Sequence, residues 1–325
     1  MSTLAITLSD ILAAQARILA DVHHTPILRC QTLSSLCGCT LGLKAEHLQR
    51  SGSFKLRGAL NRLRQLSLAE KQRGVVAFSS GNHAQGVALA AQICDLPAVI
   101  VMPSDAPKVK LDATRGYGAE VVLYDRKTED REAIARKLCT ERGAILVPPF
   151  DDPHIMAGQG TVGLEILSDV PDVDTLLLPI GGGGLISGVA MAVKSLRPSV
   201  RVIGVEPETA DDALRSRQAG QVVRISQPQT IADGVATQAV GQLTFPVMQA
   251  LVDDIVTVSE AQIAAALGLV LTRAKQVVEP TAALGVAALL SGRCRLPGQN
   301  VVALLCGGNL DLSSLPRIQE LAGIR

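Results

Sequence analysis

Seven short runs of β-branched and apolar residues recur along this chain, at 75–78, 98–102, 121–124, 144–147, 176–180, 202–205 and 301–305. Stretches with helical periodicity separate them, among them 82–94, 129–140 and 187–196. The runs are continuously apolar rather than alternating, which suits strands of a parallel sheet covered on both faces. Strand and helix in alternation predict an α/β protein of the doubly wound, open-sheet type. Four of the runs lie between 75 and 147, and a proline-rich segment, Pro148-Pro149-Phe150-Asp151-Asp152-Pro153, then interrupts the pattern. The expected organisation is a larger domain from 1–73 and 147–325, with a smaller domain, 74–146, inserted in it. A helix over 8–19 and further helices after Ser259 are expected to pad the larger lobe. At 325 residues and 47% hydrophobic content the chain is long and apolar enough for both cores.

Composition narrows the partners. Lys and Arg number 31 against 30 Asp and Glu, so no net field recruits nucleic acid or an anionic membrane. Aromatic residues make up 2% and Trp is absent, which removes the stacking platforms of single-strand binders. The seven cysteines are odd in number and scattered, which argues for a reducing compartment over a disulfide framework. No signal-peptide pattern or bilayer-length apolar run is visible, and a cytoplasmic protein acting on a small molecule is the expectation.

Gly181, Gly182, Gly183 and Gly184 follow directly on the 176–180 run and precede a helix start. A bare backbone loop there can turn several N–H groups onto one anion, aided by the positive end of the helix. A phosphate is the natural guest. The run lacks the Lys-Ser/Thr ending of a P-loop and the spaced glycines of a dinucleotide fingerprint. In Ser51-Gly52-Ser53-Phe54-Lys55 a lysine heads a predicted helix, where dipole charge disfavours the ammonium and frees an amine for Schiff-base chemistry. Phosphate cradle and reactive lysine together meet the two ends of pyridoxal phosphate.

With Ser79-Ser80-Gly81-Asn82-His83 and Cys306-Gly307-Gly308-Asn309, these motifs resemble the serine/threonine dehydratase and serine racemase family of fold type II pyridoxal phosphate enzymes, whose fold is that of the tryptophan synthase β chain. The resemblance runs from about Thr25 to Leu312. It implies that Lys55 forms the Schiff base, that Phe54 packs on the cofactor and that Asn82 meets the ring hydroxyl. The N–H groups of Gly181, Gly182, Gly183, Gly184 and Leu185 would hold the phosphate, and Cys306 would face the ring nitrogen. Ser79, Ser80, Asn82 and His83 would grip the substrate carboxylate. The freed Lys55 would remove the Cα proton and the β-hydroxyl would leave, yielding a 2-oxo acid and ammonia.

Residues outside these motifs bear on the substrate. Ser80 stands where serine racemases place their second acid/base serine, although a carboxylate-binding or helix-capping serine fits as well. Arg131 matches an arginine that can pair with a second carboxylate, and Thr237 would stand at the substrate mouth. Glu206, Ala210 and Asp212 match the metal site of eukaryotic serine racemases, implying Mg²⁺, or Ca²⁺ or Mn²⁺, on hard oxygen ligands. Acidic residues at such a spacing otherwise cap a helix. The resemblance implies a homodimer that dehydrates L-threo-3-hydroxyaspartate, L-serine or L-threonine. The alternatives are a serine racemase with side dehydratase activity and, more remotely, a phosphate-ligand or NAD-binding protein without Schiff-base chemistry.

Overall fold

Ten strands form two sheets in the computed structural model, which describes residues 4–79, 81–106 and 108–323. The strands are β1 (Ile27–Arg29), β2 (Thr40–Lys44), β3 (Val75–Phe78), β4 (Ala98–Pro103), β5 (Glu120–Tyr124), β6 (Ile145–Leu146), β7 (Thr175–Pro179), β8 (Arg201–Pro207), β9 (Asp254–Val258) and β10 (Asn300–Leu304). One sheet runs β1-β2-β10-β7-β8-β9 and the other β5-β4-β3-β6. All neighbours are parallel except β1 and β2. All seven apolar runs are strands. The runs at β3, β4 and β7 are buried at every position, which explains why they carry no polar alternation. Three strands escaped the apolar signal: β1 is three residues long at a sheet edge, β2 is broken by a glycine and ends on a lysine, and β9 begins with Asp254 and is only partly buried.

The helices are α1 (Leu8–Ile18), α2 (Gln31–Cys37), α3 (Lys55–Arg64), α4 (Leu68–Arg73), α5 (Asn82–Ile93), α6 (Lys108–Gly116), α7 (Arg131–Arg142), α8 (Pro153–Asp169), α9 (Gly184–Leu196), α10 (Asp212–Ala219), α11 (Thr244–Leu251), α12 (Glu260–Leu269), α13 (Leu284–Leu290) and α14 (Leu315–Leu321). The proline-rich break leads straight into α8, where Asp152 caps the first turn and Pro153 occupies a position that needs no N–H. This helix is buried from Ile155 to Leu167 and lies between α3 and α9. Its approach to α9 is so close that a Cβ on Gly188 would stand 2.2 Å from the Met156 carbonyl oxygen. One core surrounds the six-stranded sheet and includes α12 and α13 residues. A second surrounds the four-stranded sheet and takes Leu56, Ala59, Leu60 and Leu63 from α3. Helix α1 packs Ile11 and Ala14 against Met156 of α8 and Met191 of α9.

Each sheet has a point where successive strands depart in opposite directions. In the larger it lies between β7 and β10, because the chain passes from β7 to β8 and β9 on one side and returns with β10 on the other. In the smaller it lies between β3 and β6. Loops leaving the carboxyl ends of strands at such points diverge and leave a crevice. The loops after β7, β10, β3 and β6 line one common cavity of ≈ 150 Å³.

Candidate active site

Lys55 is the first residue of α3, and pairing with the segment after β10 fixes its approach. The Phe54 N–H donates to the Cys306 carbonyl at 3.2 Å and the Gly308 N–H to the Gly52 carbonyl at 2.8 Å. Two residues on, the fully buried Arg57 guanidinium is held by Glu46 at 2.8 Å and Glu165 at 2.6 Å, with Lys44 on the other oxygen of Glu165 at 2.7 Å. Removing one partner from such a buried set costs about 3–5 kcal/mol, so the start of α3 is held firmly against α8. Lys55 Nζ donates to the Pro149 carbonyl at 2.9 Å and lies 5.2 Å from the centroid of the Phe54 ring. Burial brings its amine down to about 8, and the negative charge of Glu279 offsets only part of this. A substantial fraction is then unprotonated near neutral pH.

The glycine loop is built by exclusion. Gly183 has φ +90°, a left-handed conformation that a side chain resists, and it places the first turn of α9 directly after the loop. A Cβ on Gly182 would lie 2.2 Å from the Phe150 ring, so the packing of that ring also requires glycine. Thr244 Oγ1 donates to the Gly182 carbonyl at 2.7 Å, and the Gly241 N–H donates to the same oxygen at 3.1 Å. Asp151 in turn accepts the Leu243 N–H at 2.8 Å and holds the start of α11. The N–H groups from Gly181 to Leu185 have no acceptor among the described residues. Unpaired donors at a helix N-terminus, facing a cavity, constitute an anion site.

Asn82 begins α5 after β3. Its Nδ2 donates to Glu279 Oε1 at 2.7 Å and its Oδ1 accepts from Asn309 Nδ2 at 2.7 Å, which fixes the orientation of the amide. No local motif marks Glu279 as a site residue. It is 3% exposed and lines the cavity; burial and the neighbouring Asp233 push its carboxyl up to about 7, with Lys110 and Asn82 resisting. Cys306 is buried at the floor, and burial, with Glu279 nearby, keeps its thiol protonated.

The remaining expected residues differ in what their side chains do. Ser79 lines the cavity and its Oγ accepts the Gly81 N–H at 3.2 Å. The His83 ring is engaged elsewhere: Nε2 donates to the Val147 carbonyl at 3.0 Å. Burial, with Lys55 nearby, lowers its pKa to about 3, so the ring is neutral and its free nitrogen is an acceptor. The ring thus has no donor to spare for a carboxylate, and the N–H at the head of α5 is what His83 can offer. Arg131 reaches the cavity from the start of α7, its guanidinium 5.7 Å from the centroid of the Phe78 ring. Thr237 lies beside Gly181. Ser80 lies outside the described residues.

Residues 18–307 match the family described as pyridoxal-phosphate dependent enzyme. The chain belongs to this family. It is 47% identical over 306 residues to an L-threo-3-hydroxyaspartate ammonia-lyase of Saccharomyces cerevisiae, covering 94% of each chain. The solved structure of maize serine racemase superposes with a TM-score of 0.93 at 39% identity, over 97% of both chains. That of a threonine deaminase from T.th. gives 0.89 at 50% identity, over 94% of this chain and 99% of that one. The fold is therefore that of the fold type II pyridoxal-phosphate dependent enzymes, and the reading of a phosphate-ligand or NAD-binding protein is set aside. The cavity fits the cofactor this family uses: unpaired amides for a phosphate at one end, an amine with lowered pKa for an aldehyde at the other.

A second cluster lies apart from that cavity, where β8 meets α10. Glu206 is fully buried and accepts the N–H groups of Ala213 at 3.0 Å and Leu214 at 2.9 Å, so it caps the helix from outside. Asp212 is buried too, yet both of its carboxylate oxygens lack a partner. The Ala210 carbonyl likewise accepts nothing among the described residues. Burial, then Asp212, raises the Glu206 carboxyl well above the usual range, and burial brings Asp212 up to about 7. The capping explanation accounts for Glu206 and leaves Asp212 unexplained.

Proposed function

We propose that this pyridoxal-phosphate dependent enzyme is an ammonia-lyase of β-hydroxy amino acids: water is eliminated across Cα–Cβ, and one water is taken up again as the resulting imine hydrolyses to a 2-oxo acid and ammonia. L-threo-3-hydroxyaspartate, L-serine and L-threonine are the candidate substrates. The observation that carries this reading is the Lys55 amine in one cavity with the unpaired amides of the glycine loop. The cofactor, when bound, supplies an aldehyde for the lysine and a conjugated ring that accepts the electron pair left at Cα. The chain's own residues do the rest. Phe54 and Cys306 would bound the cofactor ring, and Asn82 would meet its hydroxyl. Ser79 and the N–H groups at the head of α5 receive the substrate carboxylate, with Thr237 at the mouth. Lys55 Nζ would hold the cofactor and, when free, would take the Cα proton, for which its pKa of about 8 is well matched. The protonated Cys306 thiol would set a neutral group rather than a carboxylate beside the ring nitrogen, and the weaker electron sink that results would suit prompt β-elimination.

The Arg131 guanidinium favours 3-hydroxyaspartate, whose second carboxylate it would pair with. Racemisation of serine is the second reading, resting on Ser80 as a proton donor from the face opposite Lys55. A divalent cation, Mg²⁺ or its near relatives, fits the unpartnered oxygens of Asp212 and Ala210 beside Glu206, because two buried carboxylates without a countercharge call for one. A homodimer in the cytoplasm completes the reading.

One panel tests it. The purified protein should absorb in the visible and be trapped by borohydride, and Lys55→Ala should lose both that trapping and ammonia release from all three substrates. A colourless protein, or an active Lys55→Ala, overturns the reading. Arg131→Ala should depress activity on 3-hydroxyaspartate more than on L-serine. Ser80→Ala should abolish D-serine formation while ammonia release from L-serine persists.

A further inference from the structure

Lys110 is a half-buried cation that the mechanism above does not use. It lies in the first turn of α6, its side chain is 12% exposed, and it points into the cavity rather than to solvent. Its Nζ is 2.9 Å from Asp233 Oδ2. The same Nζ is 3.8 Å from where a Cβ on Gly81 would stand, so the ammonium lies beside the loop that leads from Ser79 to α5. Asp233 opens the short 3-10 turn Asp233–Val235, and the Val235 Cα is 3.2 Å from a Cβ built on Gly181. The ion pair thus spans the cavity mouth, from the helix following β4 to the turn lying on the glycine loop. Burial works against the charge of Lys110, and Asp233, then Glu279, outweigh it.

These positions favour recognition over scaffolding. The Asp233 side chain is 58% exposed while that of Lys110 is 12% exposed, so the anion of the pair is the more solvated partner and the more easily exchanged one. An incoming carboxylate at the head of α5 meets an ammonium already desolvated and aimed at it. We propose that Lys110 is a substrate-recognition residue whose ammonium takes the α-carboxylate at the Ser79–Asn82 loop, and that Asp233 holds the ammonium in place until substrate replaces it. The inference rests on the ammonia-lyase reading for what the substrate is. Asp233 is then a competitor for the cation, and the pair sets the affinity for carboxylate without taking part in bond breaking.

Steady-state kinetics on L-serine and L-threonine, with Lys110→Gln, Lys110→Arg and Asp233→Asn, test the assignment. Loss of a charge-assisted hydrogen bond should raise KM in Lys110→Gln by about ten-fold or more, with kcat within about three-fold. Lys110→Arg should recover most of the loss, and Asp233→Asn should leave KM unchanged or lower. A KM unchanged in Lys110→Gln overturns the proposal. So does an Asp233→Asn variant that weakens binding as much as Lys110→Gln does, because the pair would then be a strut. The dissociation constant of non-reacting L-alanine, read from the visible absorbance of the holoprotein, supplies a readout independent of turnover. If the wild type binds L-alanine but releases no ammonia from any of the three hydroxy amino acids, the ammonia-lyase reading fails and the Lys110 assignment is decided by the same ratio of constants.

Discussion

Lys55 is the residue proposed to carry the chemistry, and its environment predicts how the protein takes up its cofactor. An amine with a pKa of about 8 is about one-tenth neutral at pH 7, whereas an ordinary lysine at 10.5 is neutral in roughly three molecules per ten thousand. Only the neutral amine attacks an aldehyde. On adding pyridoxal phosphate to cofactor-free protein, the rate at which visible absorbance appears should rise about ten-fold from pH 6 to pH 7 and level off above about pH 8. A rate still climbing nearly ten-fold per unit at pH 9 would show an unperturbed lysine. The stability linkage has a definite sign as well. A lysine pKa lowered by folding means that the unfolded chain binds more protons between about 8 and 10.5, so this group makes cofactor-free protein more stable as pH rises through that window. Lys55 could be singled out in the sequence because it sits in a contiguous string. Glu279, Lys110 and Asp233 could not, since each is an ordinary charged residue until the fold brings it to the cavity.

At the level of elements, the site depends on how closely α8 and α9 approach. A Cβ on Gly188 would meet two main-chain groups, the Met156 carbonyl oxygen at 2.2 Å and the Gly160 nitrogen at 2.6 Å, and neither can move as a side chain would. Gly188→Ala should therefore cost about 1–3 kcal/mol, measured as a lower urea midpoint with an unchanged slope. Because α9 carries the glycine loop at its head, the same variant should also bind pyridoxal phosphate more weakly. An unchanged midpoint would mean that the helices separate freely. The sequence signalled α9 by its glycine run, and Pro153 is what starts α8 rather than a simple break. The burial of α8 between two other helices left no amphipathic stripe to read.

On the scale of the molecule, the chain leaves the six-stranded sheet after β2 and rejoins it at β7, and the whole four-stranded sheet lies between. We propose that 74–146 is an inserted body with α3 as its base, since Leu56 to Leu63 pack into the core of the smaller sheet. A cation at Glu206, Ala210 and Asp212 would tie the end of β8 to α10 within the larger sheet's core. Mg²⁺ at 100 times its dissociation constant should then stabilise the fold by about 2.7 kcal/mol. The check is the melting temperature with Mg²⁺ against chelator: it should rise for the wild type, and the rise should vanish in Asp212→Asn. A melting temperature indifferent to Mg²⁺ and Ca²⁺ would leave two buried carboxyls that are simply protonated. Among the described residues no helix is long and apolar enough to cross a membrane.

The sequence by itself determined the α/β class, seven of the ten strands, the glycine cradle, Lys55, Asn82 and Cys306, because each depends on a local string: an apolar run, a stretch without Cβ atoms, or a residue at a strand end. Tertiary structure alone decided that Glu279 orients Asn82, that the His83 ring turns to Val147, that Asp212 has no partner and that Lys110 faces the cavity. Those facts depend on groups far apart in the chain meeting at the carboxyl ends of two sheets, where charge and burial are set by neighbours that no local pattern encodes.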